Sequence, residues 1–306
     1  MSGTSAARRT LAAARRFAAA NPIALRLARR LRIWQALRTE YSAYVGDVDP
    51  STIAPAAVIA FRCNLCGEAN RATLRELSRE APSCAACGSN ARFRAMARLV
   101  IRELLGHDIA LPETPECRDI VGLGLSDAIA YSVPLAAKFT YENTWYHMAP
   151  QLDIVNVPPE RFGRYDFVIA SDVFEHVAPP VSRAFDNARR LLKPGGKLVF
   201  SVPFSFEPDT VEHYPDLHDW TLAERDGRWR LSNTTVTGER QTFDELTFHG
   251  GPGSTLEMRL FSRAGLEREF ARAGFARVRM ASEPYLPFGI HWPDPFSVPM
   301  VAYASD

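Results

Sequence analysis

Lysine is nearly missing from this chain. Only Lys138, Lys193 and Lys197 stand among its 36 bases, so arginine is the habitual cation and a single arginine carries little functional weight. Long apolar runs are missing too: none approaches the roughly 20 residues that span a bilayer, and the first residues lack the uninterrupted apolar core of a secretory signal. The expectation is a cytoplasmic protein. Net charge is close to absent at +1, but it is unevenly spread. Residues 1–40 hold nine arginines against the single acid Glu40, which leaves 27 bases against 34 acids in the rest. A mildly acidic body offers no general attraction to phosphate backbones, which argues against nucleic acid as a partner. Cysteine is scarce, at five. Four of the five form two C-x-x-C pairs, which in a reducing compartment point to metal rather than disulfides; Cys117, alone before a predicted strand, reads as a small buried hydrophobe.

The basic head has the pattern of an amphipathic helix. Asn21-Pro22 has the chemistry of a helix N-cap followed by a first-turn proline. Ile23, Leu27, Leu31, Trp34 and Tyr41 then recur at helical spacing, with Arg26, Arg29, Arg30 and Arg32 largely off that stripe. Such a segment, over residues 1–50, packs its stripe on the body, or contacts a membrane surface or an acidic protein through residues 1–45, or serves as a transit peptide. Membrane contact would place the chain at the inner face of a membrane.

The two cysteine pairs are Cys63-Asn-Leu-Cys66-Gly67 and Cys84-Ala-Ala-Cys87-Gly88, 17 residues apart, which is a spacing suited to a four-thiolate zinc ribbon. The glycine after each pair lets the chain turn so that backbone amides point at sulfur. Four thiolates fill a tetrahedral shell, so Cys63, Cys66, Cys84 and Cys87 predict a structural zinc site. A helix over about 89–105 follows, with Arg94, Arg98 and Arg102 expected on a solvated face.

From Asp119 to Phe204, short apolar runs alternate with helical patterns and each stops at a small, acidic or glycine corner. That alternation predicts an α/β fold with a doubly wound, mostly parallel sheet, whose ligands sit outside the carboxyl ends of the strands. Gly122-Leu-Gly124 ends the first strand, and free N–H groups near Leu125, Ser126 and Asp127 could seat a carboxylate. Glu142, 20 residues past Gly122, ends the second strand, where an acid would accept ribose hydroxyl protons. The third glycine of the dinucleotide fingerprint is missing, and Pro194-Gly-Gly196 lies between a helix and a strand. Helices are expected at about 126–137, 180–193 and 262–273, with further strands near 276–282 and 297–303.

This order of corners resembles a class I S-adenosylmethionine-dependent methyltransferase, a Rossmann-like fold, from about Asp119 onward. The resemblance implies S-adenosylmethionine as cofactor, with Gly122 and Gly124 at its methionine part, Glu142 at the ribose, Asp153 at the adenine amino group, and Ser171 and Asp172 at the methyl-transfer edge. One departure stands out. The family's acid two residues before the first glycine is Ile120 here, and Asp119 falls on the other strand face unless a bulge intervenes; Asp127 or Asp172 could replace it. The implied organisation is a basic helix over 1–50, a zinc ribbon and linking helix over 51–110, and a methyltransferase domain over 111–306.

An insert at about 205–261 breaks the alternation, and a loop that long usually carries function. Glu212-His-Tyr-Pro-Asp-Leu-His-Asp-Trp220 holds two histidines and three acids, and His249 opens a glycine-rich stretch after a hairpin expected near Gly238. A hydroxyl acceptor must lose its proton, so His213, His218, His249 and Asp172 are the candidate catalytic residues; His176 could contact acceptor or cofactor, or cap its loop. A divalent metal on His213, Asp216, His218 and His249 is a further option. These segments also resemble bacterial methyltransferases encoded near sugar-transferring enzymes, so the expected reaction is O-methylation of a small-molecule or glycan acceptor. The rivals are an RNA base methyltransferase and a non-catalytic scaffold with a vestigial cofactor fold.

Overall fold

A computed structural model describes residues 53–249, 251, 253–293 and 297–305; the basic helix expected over 1–50 lies outside them. The described chain opens with a hairpin of β1 (Val58–Arg62) and β2 (Ala69–Thr73), followed by α1 (Ala91–Leu105). Next come β3 (Cys117–Leu125), α2 (Ile129–Ala136), β4 (Phe139–Thr144), β5 (Tyr165–Ser171), α3 (Ser182–Leu191) and β6 (Leu192–Ser201). The insert contributes β7 (Phe204–Ser205), β8 (Val211–Glu212), β9 (Asp219–Arg225), β10 (Arg228–Thr234), β11 (Arg240–Phe243), β12 (Phe248–His249), β13 (Thr255–Leu256) and β14 (Arg259–Ser262). The chain then closes with α4 (Arg263–Arg272), β15 (Phe275–Met280) and β16 (Met300–Ala304).

The main sheet has the order β15-β16-β6-β5-β3-β4. The β4/β3, β3/β5 and β5/β6 pairs are parallel, and β16 runs antiparallel between β6 and β15. Strand alternation explains how it is wound on both faces. Phe167 and Ile169 point to one side, where they join Val199, Val301, α1 and α2; Val168 and Ala170 point to the other and meet Leu198, Phe200, α3 and α4. On the second face Phe185 and Phe200 each make an edge contact with Phe270, at 5.1 and 5.3 Å between centroids. Each such ring contributes about 1.5–3 kcal/mol through its burial.

The helix that follows the cysteines thus covers one face of the catalytic sheet. Asn90 caps it, its side chain accepting from the Phe93 amide. The arginines on it do not form a solvated face. Arg94 is 0% exposed; it donates to the Ser89 and Gly289 carbonyls and to the Ser83 hydroxyl, each at 2.8 Å, and lies over the Phe61 ring. Arg98 stacks on Tyr285 and pairs with Asp108 at 2.9 Å, while Arg102 is more exposed. Gly289 over Arg94 and Tyr285 against Arg98 come from nearly 200 positions downstream, so a spacing of four could not announce them.

A single hairpin holds the cysteine module. Cys84 and Cys87 sit in a turn with no strand of its own, so a ribbon topology is not formed among the described residues. An irregularity does intervene near Asp119: pairing of β3 with β4 jumps between Cys117 and Val121, and Asp119 stays exposed within it. The insert folds as hairpins with a small core of Tyr214, Leu217, Leu231, Leu256 and Met258, and Gly238 takes a φ of 86° at the β10–β11 turn. Among the described residues no helix is long and apolar enough to cross a membrane.

Candidate active site

The carboxyl ends of β3, β4 and β5 meet at one edge. Ser126 stands there exposed with a φ of 58°, a left-handed conformation that turns the chain sharply out of β3. Gly124 leaves room behind it: a Cβ at this position would lie 2.0 Å from the Tyr141 hydroxyl and 2.4 Å from Asp127 Oδ2. Gly122 has a packing reason for its missing side chain. A Cβ there would enter the Phe167 ring at 2.1 Å, and Phe167 stacks on Tyr141 across it.

Asp127 is wholly buried. Tyr131 donates to its Oδ1 at 2.6 Å and Tyr141 to its Oδ2, and the Asn143 side chain bonds both its backbone N–H and its carbonyl. Burial pushes its carboxyl up to about 7, against the two tyrosine hydroxyls and Arg92. Its carboxylate is therefore committed to holding the turn. Asp153 is partly committed too, accepting from the Val155 amide and the Asn156 side chain.

Glu142 is the group that fits a ligand best. The Glu142 side chain is 40% exposed; Arg161 donates to Oε2 at 2.6 Å and to Oε1 at 3.4 Å, which leaves lone pairs on both oxygens for hydroxyl donors. The backbone N–H groups expected to be free at this corner are not: Ser126 donates to the Thr144 carbonyl at 2.7 Å and Asp127 to the Asn143 side chain at 2.9 Å, so the open acceptor positions are those of Glu142.

Asp172, at the end of β5 with a φ of 56°, is gripped from outside the sheet. Arg79, in the loop between the two cysteine pairs, donates to both its oxygens at 2.6 and 3.0 Å. Arg92 of α1 donates to the Ser171 hydroxyl at 2.8 Å and lies 3.4 Å from Asp172. Burial pushes the Asp172 carboxyl up, but the two guanidinium groups and the Ser201 hydroxyl outweigh it and hold it below the usual range. The cysteine module is thereby tied to the carboxyl end of β5.

The insert supplies the histidines. His213 Nε2 and His249 Nε2 flank Glu257, at 2.9 and 2.6 Å from its two oxygens. The Glu257 contact pushes the His249 imidazole up; burial pushes Glu257 up, but the two imidazoles outweigh it and hold it down. His249 Nδ1 faces His176 Nε2 at 3.0 Å, and the fields of Asp172 and Arg79 reach His249. His218 is exposed, with its backbone N–H on Asn233, and Asp216 is exposed beside it. Neither joins the metal-ligating groups found among the described residues.

The four cysteine sulfurs lie within 4.8 Å of one another, with Cys63–Cys87 and Cys66–Cys84 both at 3.6 Å. Ligands at about 2.3 Å from a tetrahedral ion would stand about 3.8 Å apart, so the cluster fits a metal. Backbone amides of residues 65, 66, 68, 86 and 87 point at the sulfurs. Although burial opposes it, the Cys87 and Ala86 amides help hold the Cys84 thiol down to about 7.

Sequence reasoning passed over Arg79, Arg92, Arg161, Glu175 and Glu257. The arginines were hidden by their abundance, since the groups they meet lie 19 to 93 positions away, and the two glutamates by an absence of local pattern.

The strand order and the helices on both faces of the sheet define an α/β fold. A family model described as a methyltransferase domain matches residues 66–279, well over half of the chain. The chain belongs to that family and is an S-adenosylmethionine-dependent methyltransferase. Among curated proteins it is 32% identical over 103 residues to the lovastatin diketide synthase lovF of Aspergillus terreus, a match covering 33% of this chain and 4% of that one. It is also 33% identical over 88 residues to the highly reducing polyketide synthase azaB of Aspergillus niger, covering 29% and 3%. The chain thus spans only a few per cent of these relatives. Similar solved structures include the Burkholderia thailandensis 1,6-didemethyltoxoflavin-N1-methyltransferase, at 14% identity and a TM-score of 0.39, covering 69% of this chain and 79% of that one. The sugar N-methyltransferase KedS8 of a Streptoalloteichus species matches at 16% and 0.40, covering 70% and 88%.

Proposed function

We propose that the chain methylates an oxygen of a small-molecule or glycan acceptor, and that Cys63, Cys66, Cys84 and Cys87 hold a structural zinc ion. The observation that carries the acceptor reading is the His213–Glu257–His249 cluster beside Asp172. S-adenosylmethionine supplies a methyl carbon on a positively charged sulfur. What the protein adds is positioning and a place for a proton.

Each imidazole gives its Nε2–H to Glu257, which can only accept, so the lone pair of each falls on Nδ1. A hydroxyl seated beside His213 would pass its proton to His213 Nδ1, while S-adenosylmethionine, when bound, would supply the methyl group. Glu257 stabilises the imidazolium that results. Asp172, whose charge is neutralised by Arg79 and Arg92, would position the edge rather than charge it. Glu142 would orient the ribose.

The test is transfer of radiolabelled methyl from the cofactor to panels of sugars, small hydroxyl compounds, amines and RNA, with the product mapped by mass spectrometry. Methyl on a hydroxyl oxygen, reduced in His213→Ala and Glu257→Gln, is the expected result. Methyl on an amine or an RNA base would overturn the acceptor reading.

A further inference from the structure

Glu175 has no part in the chemistry above, yet it is placed where an idle carboxylate is costly. It sits in the turn after β5, 1% exposed, and neither carboxylate oxygen has a hydrogen-bond partner among the described residues. A buried acid is normally paired, hydrogen-bonded or bound to a metal. Its Oε1 lies 3.9 Å from His176 Nε2 and 3.9 Å from His249 Nδ1.

Both of those nitrogens carry lone pairs. His176 Nδ1 is 2.8 Å from the Leu256 carbonyl, which only accepts, so the ring proton is on Nδ1 and the lone pair on Nε2. His249 gives its Nε2–H to Glu257 at 2.6 Å, which leaves its lone pair on Nδ1. The two lone pairs then face each other at 3.0 Å, with an unsatisfied carboxylate oxygen aimed at the same point. Three basic atoms converging on one point need either a shared proton or a cation between them.

We infer that Glu175 Oε1, His176 Nε2 and His249 Nδ1 are the protein ligands of a divalent transition-metal ion, separate from the four-cysteine cluster. Two imidazole nitrogens about 2.1 Å from one ion and at right angles stand about 3.0 Å apart, matching the separation seen. Glu175 takes a wider angle. Two nitrogens and one oxygen suit zinc, manganese, iron or cobalt rather than calcium or magnesium, which favour oxygen-rich shells. Both histidines have their outer nitrogens fixed, by the Leu256 carbonyl and by Glu257, which is how metal-bound imidazoles are usually oriented. Three protein ligands leave coordination positions open, and His249 is 37% exposed, so an acceptor oxygen can reach the ion.

This deepens the methyl-transfer reading and rests on it only for its purpose. The ion would lower the pKa of a hydroxyl bound to it, His249 would act as ligand, and His213, on the other oxygen of Glu257, would remain to take the proton. The ligand set differs from the one expected from sequence, because His249 meets His176 and Glu175 rather than Asp216 and His218.

The experiment needs no activity. Full-length chain already carrying one equivalent of zinc is titrated with Mn2+ and free ion is read by electron paramagnetic resonance. One Mn2+ should bind per chain and be displaced by added Zn2+. Glu257→Gln should weaken binding about 10- to 100-fold, and Glu175→Gln and His249→Ala should abolish it. Thermal unfolding of Glu175→Gln, which removes an unsatisfied buried carboxylate, should stay at or above wild type without added metal, showing that it folds. Absence of Mn2+ binding, as expected if the bases share a proton instead, or equal binding by wild type and Glu175→Gln, would overturn the inference.

Discussion

Replacing Arg79 by glutamine tests whether the cysteine module is part of the active edge or an attached domain. Arg79 gives Asp172 two hydrogen bonds, at 2.6 and 3.0 Å, and each partner's side chain is 18% exposed. Removing one member of a largely buried pair costs about 3–5 kcal/mol. Arg92 stays 3.4 Å from Asp172 and offsets part of that, so the expected loss is about 2–3 kcal/mol, or about 5–10 °C in Tm for a domain of this size. The pH dependence has a defined sign. Burial alone would raise the Asp172 carboxyl, but the arginines lower it, so its contribution is present above the unfolded value of about 3.9 and is lost as pH falls through the lower folded value. The gap between wild type and Arg79→Gln should therefore be widest near neutrality and shrink in acid. Differential scanning calorimetry of wild type, Arg79→Gln, Asp172→Asn and the double variant supplies the cycle. A coupling energy below about 0.5 kcal/mol would refute the reasoning.

Asp127 should behave oppositely. Its folded pKa, raised to about 7 by burial, makes its contribution full below about 3.9 and lost as pH rises through 7, so Asp127→Asn should gain in Tm relative to wild type between pH 5 and pH 8.5. Gly124→Ala would drive a methyl into Tyr141 and Asp127 and should cost about 1–3 kcal/mol in denaturant unfolding. Stripping the cysteine metal with a chelator, or Cys66→Ser, should release one zinc by elemental analysis and lower activity, because Arg79 and Arg92 are carried on the segment that the cluster ties down.

The main sheet was legible because its signals are local: β5 and the second halves of β3 and β6 are apolar runs, although β6 also takes in Pro194-Gly-Gly196, and α3 and α4 fall within two residues of expectation. The irregularity at Asp119 was legible as an alternative, raised by a misplaced acid. What failed was whatever depends on distant partners. Arg94 has the spacing of a surface residue but lies beneath residue 289, and only the folded chain brings that carbonyl over it. Gly122 fits a ligand-approach motif, yet the Phe167 ring alone would require it. The candidate histidines divided along the same line: His249 meets His176 across 73 positions, whereas His213 and His218, five apart, do not share a cluster.

The most direct test of the central claim is calorimetric titration of the full-length chain with S-adenosylmethionine. One site per chain is predicted, with affinity on the order of 1 µM to 1 mM. In Glu142→Ala it should weaken about 10- to 100-fold, as expected for the loss of hydrogen bonds to a charged group. Binding that is absent in wild type, or unchanged in Glu142→Ala, would contradict the account.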